Sequence, residues 1–126
     1  MRTLLVLLLA PLLSLAVASD TPPGTAAPPS AAELKALISG NSATGNWDGR
    51  PYKQYFSANG STRYDEEGRR PSSGSWRINE KGQYCSTWPP SSNETCYNVL
   101  VNGQTIYWSS RGGYQKASVV PGNIFH

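Results

Sequence analysis

Residues 52–66, which read YKQYFSANGSTRYDE, decide the fold class of this chain. Two runs rich in aromatic and β-branched residues flank Asn59-Gly60, and both turn residues tolerate the positive φ angles of a tight hairpin. The stretch therefore predicts two antiparallel strands, at 52–58 and 61–66, joined by a two-residue turn. Asn102-Gly103 gives the same signal nearer the C-terminus.

Further runs of the same composition lie on both sides of this hairpin, separated by weaker turn signals at 80–82 and 111–113. The predicted strands are 44–48, 52–58, 61–66, 74–79, 83–88, 95–101, 104–109 and 114–120. About eight short strands at intervals of about ten residues are typical of an antiparallel meander. The fold class is therefore all-β, a small barrel or sandwich, and closure is favoured because open sheet edges invite aggregation.

Period-two alternation along these strands indicates which side chains face inward. Those expected to point into the core are Trp76, Ile78, Tyr97, Val99, Val101, Ile106 and Trp108. Tyr107 stands next to Trp108, so the two rings cannot both look inward, and some rings are expected outside the core.

A short helix is predicted before the first strand, over residues 31–39. Ser30 and Glu33 have the spacing of a capping box, apolar residues at 34, 37 and 38 share one face, and Gly40 supplies the stop. A helix of this length does not persist alone in water, so it must pack on the sheet. Residues 19–30 are rich in Pro and Ala and are predicted to form an extended linker.

The N-terminus has the pattern of a signal peptide at residues 1–18. Arg2 precedes a short apolar run that ends in Ala16-Val17-Ala18, and small residues two apart favour cleavage after Ala18. The run is shorter than the roughly 20 residues that a membrane span needs. We therefore expect a periplasmic or extracellular protein without stable membrane insertion, with one β-rich domain at 31–126.

The chain contains two cysteines, Cys85 and Cys96. An exported protein meets an oxidising compartment, which favours a disulfide between them. A redox-active pair is the alternative, but the spacing is not the two-residue gap of thioredoxin-like sites. We predict a structural bridge.

Composition excludes several kinds of chemistry. The formal charge is +3, or +2 once Arg2 is removed, and so small a surplus does not indicate a nucleic-acid-binding protein. The one histidine is the terminal His126, so neither a histidine base nor a metal cluster is predicted, and no phosphate-binding glycine motif is present. We predict no catalytic residues, metal or cofactor.

A carboxylate-based hydrolase is an alternative, since such an enzyme needs two carboxylates facing one substrate. The candidates are Asp48, Asp65, Glu66, Glu67 and Glu80. Acidic residues beside Arg69 and Arg70 more often form a solvated turn, so we favour a non-catalytic protein.

Aromatic residues are the richest feature, with seven Tyr and four Trp. Rings at hairpins and strand ends are least needed for the core, which makes Tyr52, Tyr55, Trp88 and Tyr107 the predicted ligand-binding residues. We expect a monomer that binds a small apolar or sugar-like ligand, or an envelope protein. A second alternative is an inhibitor that inserts the loop at 88–93, which the disulfide would hold rigid.

The order of signals over residues 34–123 resembles a family of small secreted proteobacterial proteins catalogued as a domain of unknown function. The residues that carry this resemblance are Leu34-x-x-Leu37-Ile38-x-Gly40-Asn41-Ser42, Tyr52-x-x-Tyr55-Phe56, Asn59-Gly60, Gly74-Ser75-Trp76, Tyr84-Cys85-x-x-Trp88, Cys96-Tyr97 and Val119-Val120-Pro121-Gly122-Asn123. The resemblance implies export and no catalytic residues. Gly45-Asn46-Trp47 and Gly74-Ser75-Trp76 also resemble the Gly-x-Trp of lipocalin-like barrels, which favours a barrel with an interior.

Overall fold

The fold is given by a computed structural model, which describes residues 20–125. The predicted signal peptide at 1–18 and His126 lie outside the described residues. Within this range the chain forms one helix and nine strands: α1 (Ala31–Ile38), β1 (Ser42–Trp47), β2 (Arg50–Phe56), β3 (Ser61–Glu66), β4 (Ser72–Ile78), β5 (Tyr84–Thr87), β6 (Glu94–Tyr97), β7 (Val99–Asn102), β8 (Thr105–Ser110) and β9 (Gly113–Val120).

All nine strands belong to one antiparallel sheet in the order β6-β5-β4-β3-β2-β1-β9-β8-β7. The two end strands follow each other in the chain with only Asn98 between them. Tyr97 pairs with Tyr84 of β5, whereas Val99 pairs with Trp108 of β8. One stretch of chain therefore joins the two ends of the sheet, and the result is a nearly closed barrel. The predicted all-β class is confirmed.

The predicted strand at 95–101 is two strands, which is why the sheet has nine members rather than about eight. Asn98 breaks the run because its neighbours pair with different strands, β5 before it and β8 after it. The Asn98 carbonyl accepts a hydrogen bond from Ser109 N at 3.0 Å, so the break itself is anchored.

The hairpin at Asn59-Gly60 has a longer turn than predicted. β2 ends at Phe56 and Ser57 N donates to Ser61 O at 2.8 Å, so residues 57–60 form a four-residue turn. Only Gly60 adopts a positive φ there, +92°. The Asn59 side chain instead accepts a hydrogen bond from Ser61 N at 2.9 Å, and this local bond closes the turn.

Helix α1 begins as predicted and covers one end of the barrel. Ser30 Oγ accepts a hydrogen bond from Glu33 N at 3.1 Å, and Leu34 and Ile38 are fully buried in the core. Two adjacent features fix the helix to this end. The turn around Gly82 passes close to the start of the helix, and Gly40 N donates to Phe56 O at 2.7 Å. The turns at the other end of the strands, at 48–49, 67–71, 88–93 and 111–112, are not covered by the helix.

The predicted linker lies against the sheet over its described part. Asp20 Oδ2 accepts a hydrogen bond from Lys116 N of β9, while Ala27 and Val101 of β7 exchange two backbone hydrogen bonds. The segment therefore passes across the outer face of β8, where Tyr107 points. Tyr107 and Trp108 are both buried, with 6% and 5% exposure, on opposite faces of β8. As expected, the two rings do not both face the interior, and Tyr107 is buried nevertheless because the outer face is covered as well.

Truncating Ile38 to alanine tests how far the stability of the domain depends on the packing of α1. We expect Ile38→Ala to lower the free energy of unfolding by about 2–5 kcal/mol, because Ile38 is fully buried. Lys35→Ala, an exposed change on the same helix, is the control and should stay within about 0.5 kcal/mol of the parent protein. Urea unfolding measures both variants, and equal midpoints would show that the helix does not support the core.

Candidate ligand-binding cavity

A cavity of about 320 Å³ opens at the barrel end opposite to the helix. Its lining combines seven aromatic rings with five polar side chains and a proline: Trp47, Tyr52, Gln54, Tyr64, Glu66, Arg69, Ser72, Tyr84, Ser86, Trp88, Pro89, Tyr97 and Trp108. The lining comes from strands β1 to β6 and β8, so the cavity belongs to the barrel interior.

The floor of the cavity is an aromatic cluster built around Phe56, which is fully buried. The Phe56 ring centre lies 5.6 Å from that of Tyr84 and 6.3 Å from that of Trp108, and Tyr84 meets Trp108 edge-on at 5.1 Å. Trp76 contacts Phe56 from the side, at 5.9 Å. These rings fill the half of the interior next to the helix and leave the other half open.

Trp88 forms one wall of the cavity, and a glycine makes room for it. A Cβ on Gly74 would come within 2.8 Å of the Trp88 ring and 2.4 Å of Thr87 O, so no other residue fits at 74. Trp88 Nε1 donates to Ser86 Oγ at 3.0 Å, and its ring meets Tyr64 edge-on at 6.1 Å. The half-buried indole is therefore held against the barrel.

Three phenols of the lining, those of Tyr52, Tyr64 and Tyr84, have raised pKa values and are uncharged at physiological pH. Burial raises the pKa of Tyr52 to about 12, against a hydrogen bond of 3.1 Å from Trp108 Nε1 that lowers it. Burial also raises the pKa of Tyr84 and of Tyr64, and the adjacent Glu66 carboxylate raises that of Tyr64 further. The Tyr52 and Tyr64 rings stack with centres 5.1 Å apart. Tyr52 and Tyr64 thus form a flat part of the cavity wall that carries no charge.

Glu66 is the one carboxylate in the lining, and it is 5% exposed. Its Oε1 accepts a hydrogen bond from the Tyr64 hydroxyl at 2.9 Å. Its Oε2 lies 2.8 Å from Arg69 Nε and 3.6 Å from Arg50 Nη1, but no N–H is aligned on this oxygen, so both contacts are ion pairs and not hydrogen bonds. Two cations thus compensate for the burial of one carboxylate.

Two of the four predicted ligand-binding residues lie at this cavity. Tyr52 and Trp88 line it, although Tyr52 is buried and not exposed. Tyr55 is on the outer face of β2, since Gln54 and Phe56 on either side of it point inward. Tyr107 is on the outer face of β8 under the N-terminal segment. The structure therefore does not bring Tyr55 and Tyr107 to the cavity.

Sequence reasoning gave no binding role to Tyr64, Glu66 or Arg69. Alternation along β3 puts Thr62, Tyr64 and Glu66 on one face, and Thr62 and Glu66 are buried. For Glu66, the alternation along the strand was a signal in the sequence that could have placed its side chain inside the barrel. No comparable signal existed for Arg69, which reaches the cavity from the turn after β3.

The other candidate carboxylates are not in this cavity. Asp48 borders a neighbouring depression at the same end, formed with the turn at 111–112. There Gln115 ties the two turns together: its Oε1 accepts from Asp48 N at 2.8 Å, and its Nε2 donates to Asp48 Oδ1 at 3.2 Å and to Ser110 Oγ at 3.1 Å. Asp48 therefore has a structural role, since its bonds to Gln115 connect the turn at 48–49 to the turn at 111–112.

The predicted disulfide between Cys85 and Cys96 is present. The two residues lie directly opposite each other on β5 and β6, with Cα atoms 4.0 Å apart. Glu94 lies close to both sulfurs, but bonded cysteines offer no thiolate to a metal. The bridge fixes β6, which carries the cavity residue Tyr97.

Comparison with known proteins places the chain in a family. Residues 6–116 match the family described as Protein of unknown function (DUF995), and the chain belongs to it. This confirms the expected membership of a family of unknown function. No curated protein matches the chain. None of the described helical structure has the length and apolarity needed to cross a lipid bilayer.

The raised pKa of Tyr52 predicts how stability changes in alkali. The unfolded phenol ionises near pH 10 and the folded one near pH 12, so stability is fully present below pH 10 and falls as the pH rises towards 12. Tyr52 alone should contribute up to about 1.4 kcal/mol of loss per pH unit in this window. Urea unfolding between pH 9 and 12 measures the slope. Tyr52→Phe should make the slope shallower, and an unchanged slope would contradict the prediction.

Proposed function

We propose that this protein is a non-catalytic binding domain that holds a small ligand in the open half of its barrel. The observation that carries the proposal is the cavity itself: seven rings and a few convergent polar groups around about 320 Å³. Small-molecule sites are typically concave, mostly apolar and equipped with a few placed polar groups. The ring faces suit either an apolar body or the face of a sugar.

The arrangement of acidic groups supports binding over hydrolysis. A glycosidase needs two carboxyl groups on either side of one bond, about 5–10 Å apart. Of the five candidate carboxylates, the cavity lining includes Glu66, while Asp48 is bonded to Gln115 in the neighbouring depression. Asp65, Glu67 and Glu80 belong to neither lining.

The position of Trp88 supports binding in the cavity over inhibition by an inserted loop. Residues 89–93 are exposed, but the Trp88 ring turns back to the cavity and is held there by Ser86 and Gly74. If the loop at 88–93 were inserted into a partner protein, its largest side chain, that of Trp88, would not be available for the contact. The remaining exposed loop is Pro, Ser and Asn, which are poor anchors for a protein interface.

We also propose that the protein is exported and works outside the cytosol, in the periplasm or beyond the cell. The Cys85–Cys96 disulfide is typical of oxidising compartments, and the first 18 residues have the pattern of a cleaved leader. Outside the cytosol, a small binding domain meets free ligands or an envelope protein.

Filling the cavity tests the binding proposal, with N-phenyl-1-naphthylamine as an uncharged fluorescent probe. Ser72 and Ser73 are both exposed at the start of β4, but only Ser72 belongs to the cavity lining. We expect the parent protein to bind the probe, Ser72→Trp to weaken binding by about tenfold or more, and the matched Ser73→Trp to leave it unchanged. Fluorescence titration measures all three. No binding to the parent protein, or equal binding to both variants, would overturn the proposal.

The export proposal is tested by expressing the gene with its own leader and weighing the denatured product. We expect a chain that begins at Ser19 and is two hydrogens lighter than its reduced form. An uncleaved chain with two free thiols would contradict export.

A further inference from the structure

The edge of the cavity carries an arginine whose position is set by a buried carboxylate. Glu66 is held inside by the Tyr64 hydroxyl, and its Oε2 lies 2.8 Å from Arg69 Nε. Arg69 uses its inner nitrogen for this pair. Its terminal nitrogens donate no hydrogen bond to any described residue. The Arg69 side chain is 64% exposed, so its two outer nitrogens are available at the cavity.

The ion-pair group at this edge carries more positive than negative charge. Arg50 and Arg69 both approach Glu66, so two positive charges face one negative charge. The phenols of Tyr52, Tyr64 and Tyr84 add no negative charge, since burial raises their pKa values still further above physiological pH. Asp48 is bonded to Gln115 and lies in the neighbouring depression. A surplus of one positive charge therefore remains beside an aromatic cavity.

Arginine suits one type of ligand group at such a place. Its planar outer nitrogens match the two oxygens of a carboxylate or a sulfonate, and the ion pair on its inner nitrogen leaves both of them free to bind. A cation would be repelled by the surplus charge. A neutral sugar would leave that charge without a partner.

We propose that the ligand is an organic anion, whose apolar or aromatic body fills the cavity and whose acidic group binds the outer nitrogens of Arg69. This inference rests on the proposed binding function. Glu66 keeps Arg69 at this edge through their ion pair, and Trp88 and Tyr52 supply walls for the body of the ligand.

Two probes with the same rings separate the anionic part of the ligand from its apolar part. 1-Anilinonaphthalene-8-sulfonate has the ring system of N-phenyl-1-naphthylamine with one added sulfonate. We expect the sulfonate probe to bind the parent protein about tenfold more tightly than the uncharged probe. Arg69→Gln should remove this advantage and weaken the binding of the uncharged probe by much less. The matched control is Arg70→Gln, which makes the same charge change one residue away, at an exposed position outside the lining.

The outcomes keep this inference separate from the proposed function. If neither probe binds the parent protein, the proposed function fails. If both probes bind equally tightly, or if Arg69→Gln weakens both equally, the cavity binds ligands but the anion site is wrong. Near-ultraviolet circular dichroism checks that the variants are folded. Should Arg69→Gln fail to fold, Arg69→Lys replaces it, because it keeps the charge and loses the planar fork. Arg69→Lys should then weaken the binding of the sulfonate probe more than that of the uncharged probe. If Arg69→Lys binds the sulfonate probe as tightly as the parent protein does, the inference is overturned.

Discussion

The contact of Phe56 with its ring neighbours determines where the interior of this barrel is full and where it is empty. Phe56 is fully buried and touches Trp76, Tyr84 and Trp108. On the helix side, Leu34 and Ile38 complete the packing. On the other side the inward positions carry side chains that end in polar atoms, and a nearly closed barrel of nine strands encloses more space than they fill. The layer of rings around Phe56 thus separates the half of the interior that the helix closes from the half that forms the cavity.

Two glycines allow the barrel to close around that layer. A Cβ on Gly45 would lie 2.7 Å from Lys116 O, so the close approach of β1 to β9 requires glycine there. Gly74 gives the same freedom to β4, and the space is occupied by the Trp88 ring. In the sequence both glycines stand two residues before a tryptophan, which resembled a motif of lipocalin-like barrels. At each site glycine is required because another part of the chain lies too close to the backbone for a Cβ. At Gly45 this is the backbone of β9, and at Gly74 it is the Trp88 ring.

Local chemistry explains which parts of the fold could be predicted from the sequence. The helix is encoded by Ser30 and by apolar residues on one face, and the strands by alternation and turn residues, so both were predicted. The burial of Tyr107 depends on residues about 80 positions earlier in the chain, which no local pattern reveals. The same holds for the cavity. Trp88 was a visible candidate because of its loop, whereas Arg69 enters the site only through its pairing with Glu66.

Glu66 is costly as a purely structural residue, and this cost is informative. Transferring a carboxylate from water to the barrel interior is compensated only in part by ion pairs, and an apolar side chain of similar size commonly stabilises such a position at least as well. The Oε2 atom receives no aligned hydrogen bond, so the compensation is incomplete. What the carboxylate does provide is two contacts at the cavity: it accepts the hydrogen bond of the Tyr64 hydroxyl and forms an ion pair with the inner nitrogen of Arg69. A buried carboxylate that stabilises the fold poorly but holds an arginine at the edge of a cavity is what the proposed anion site requires.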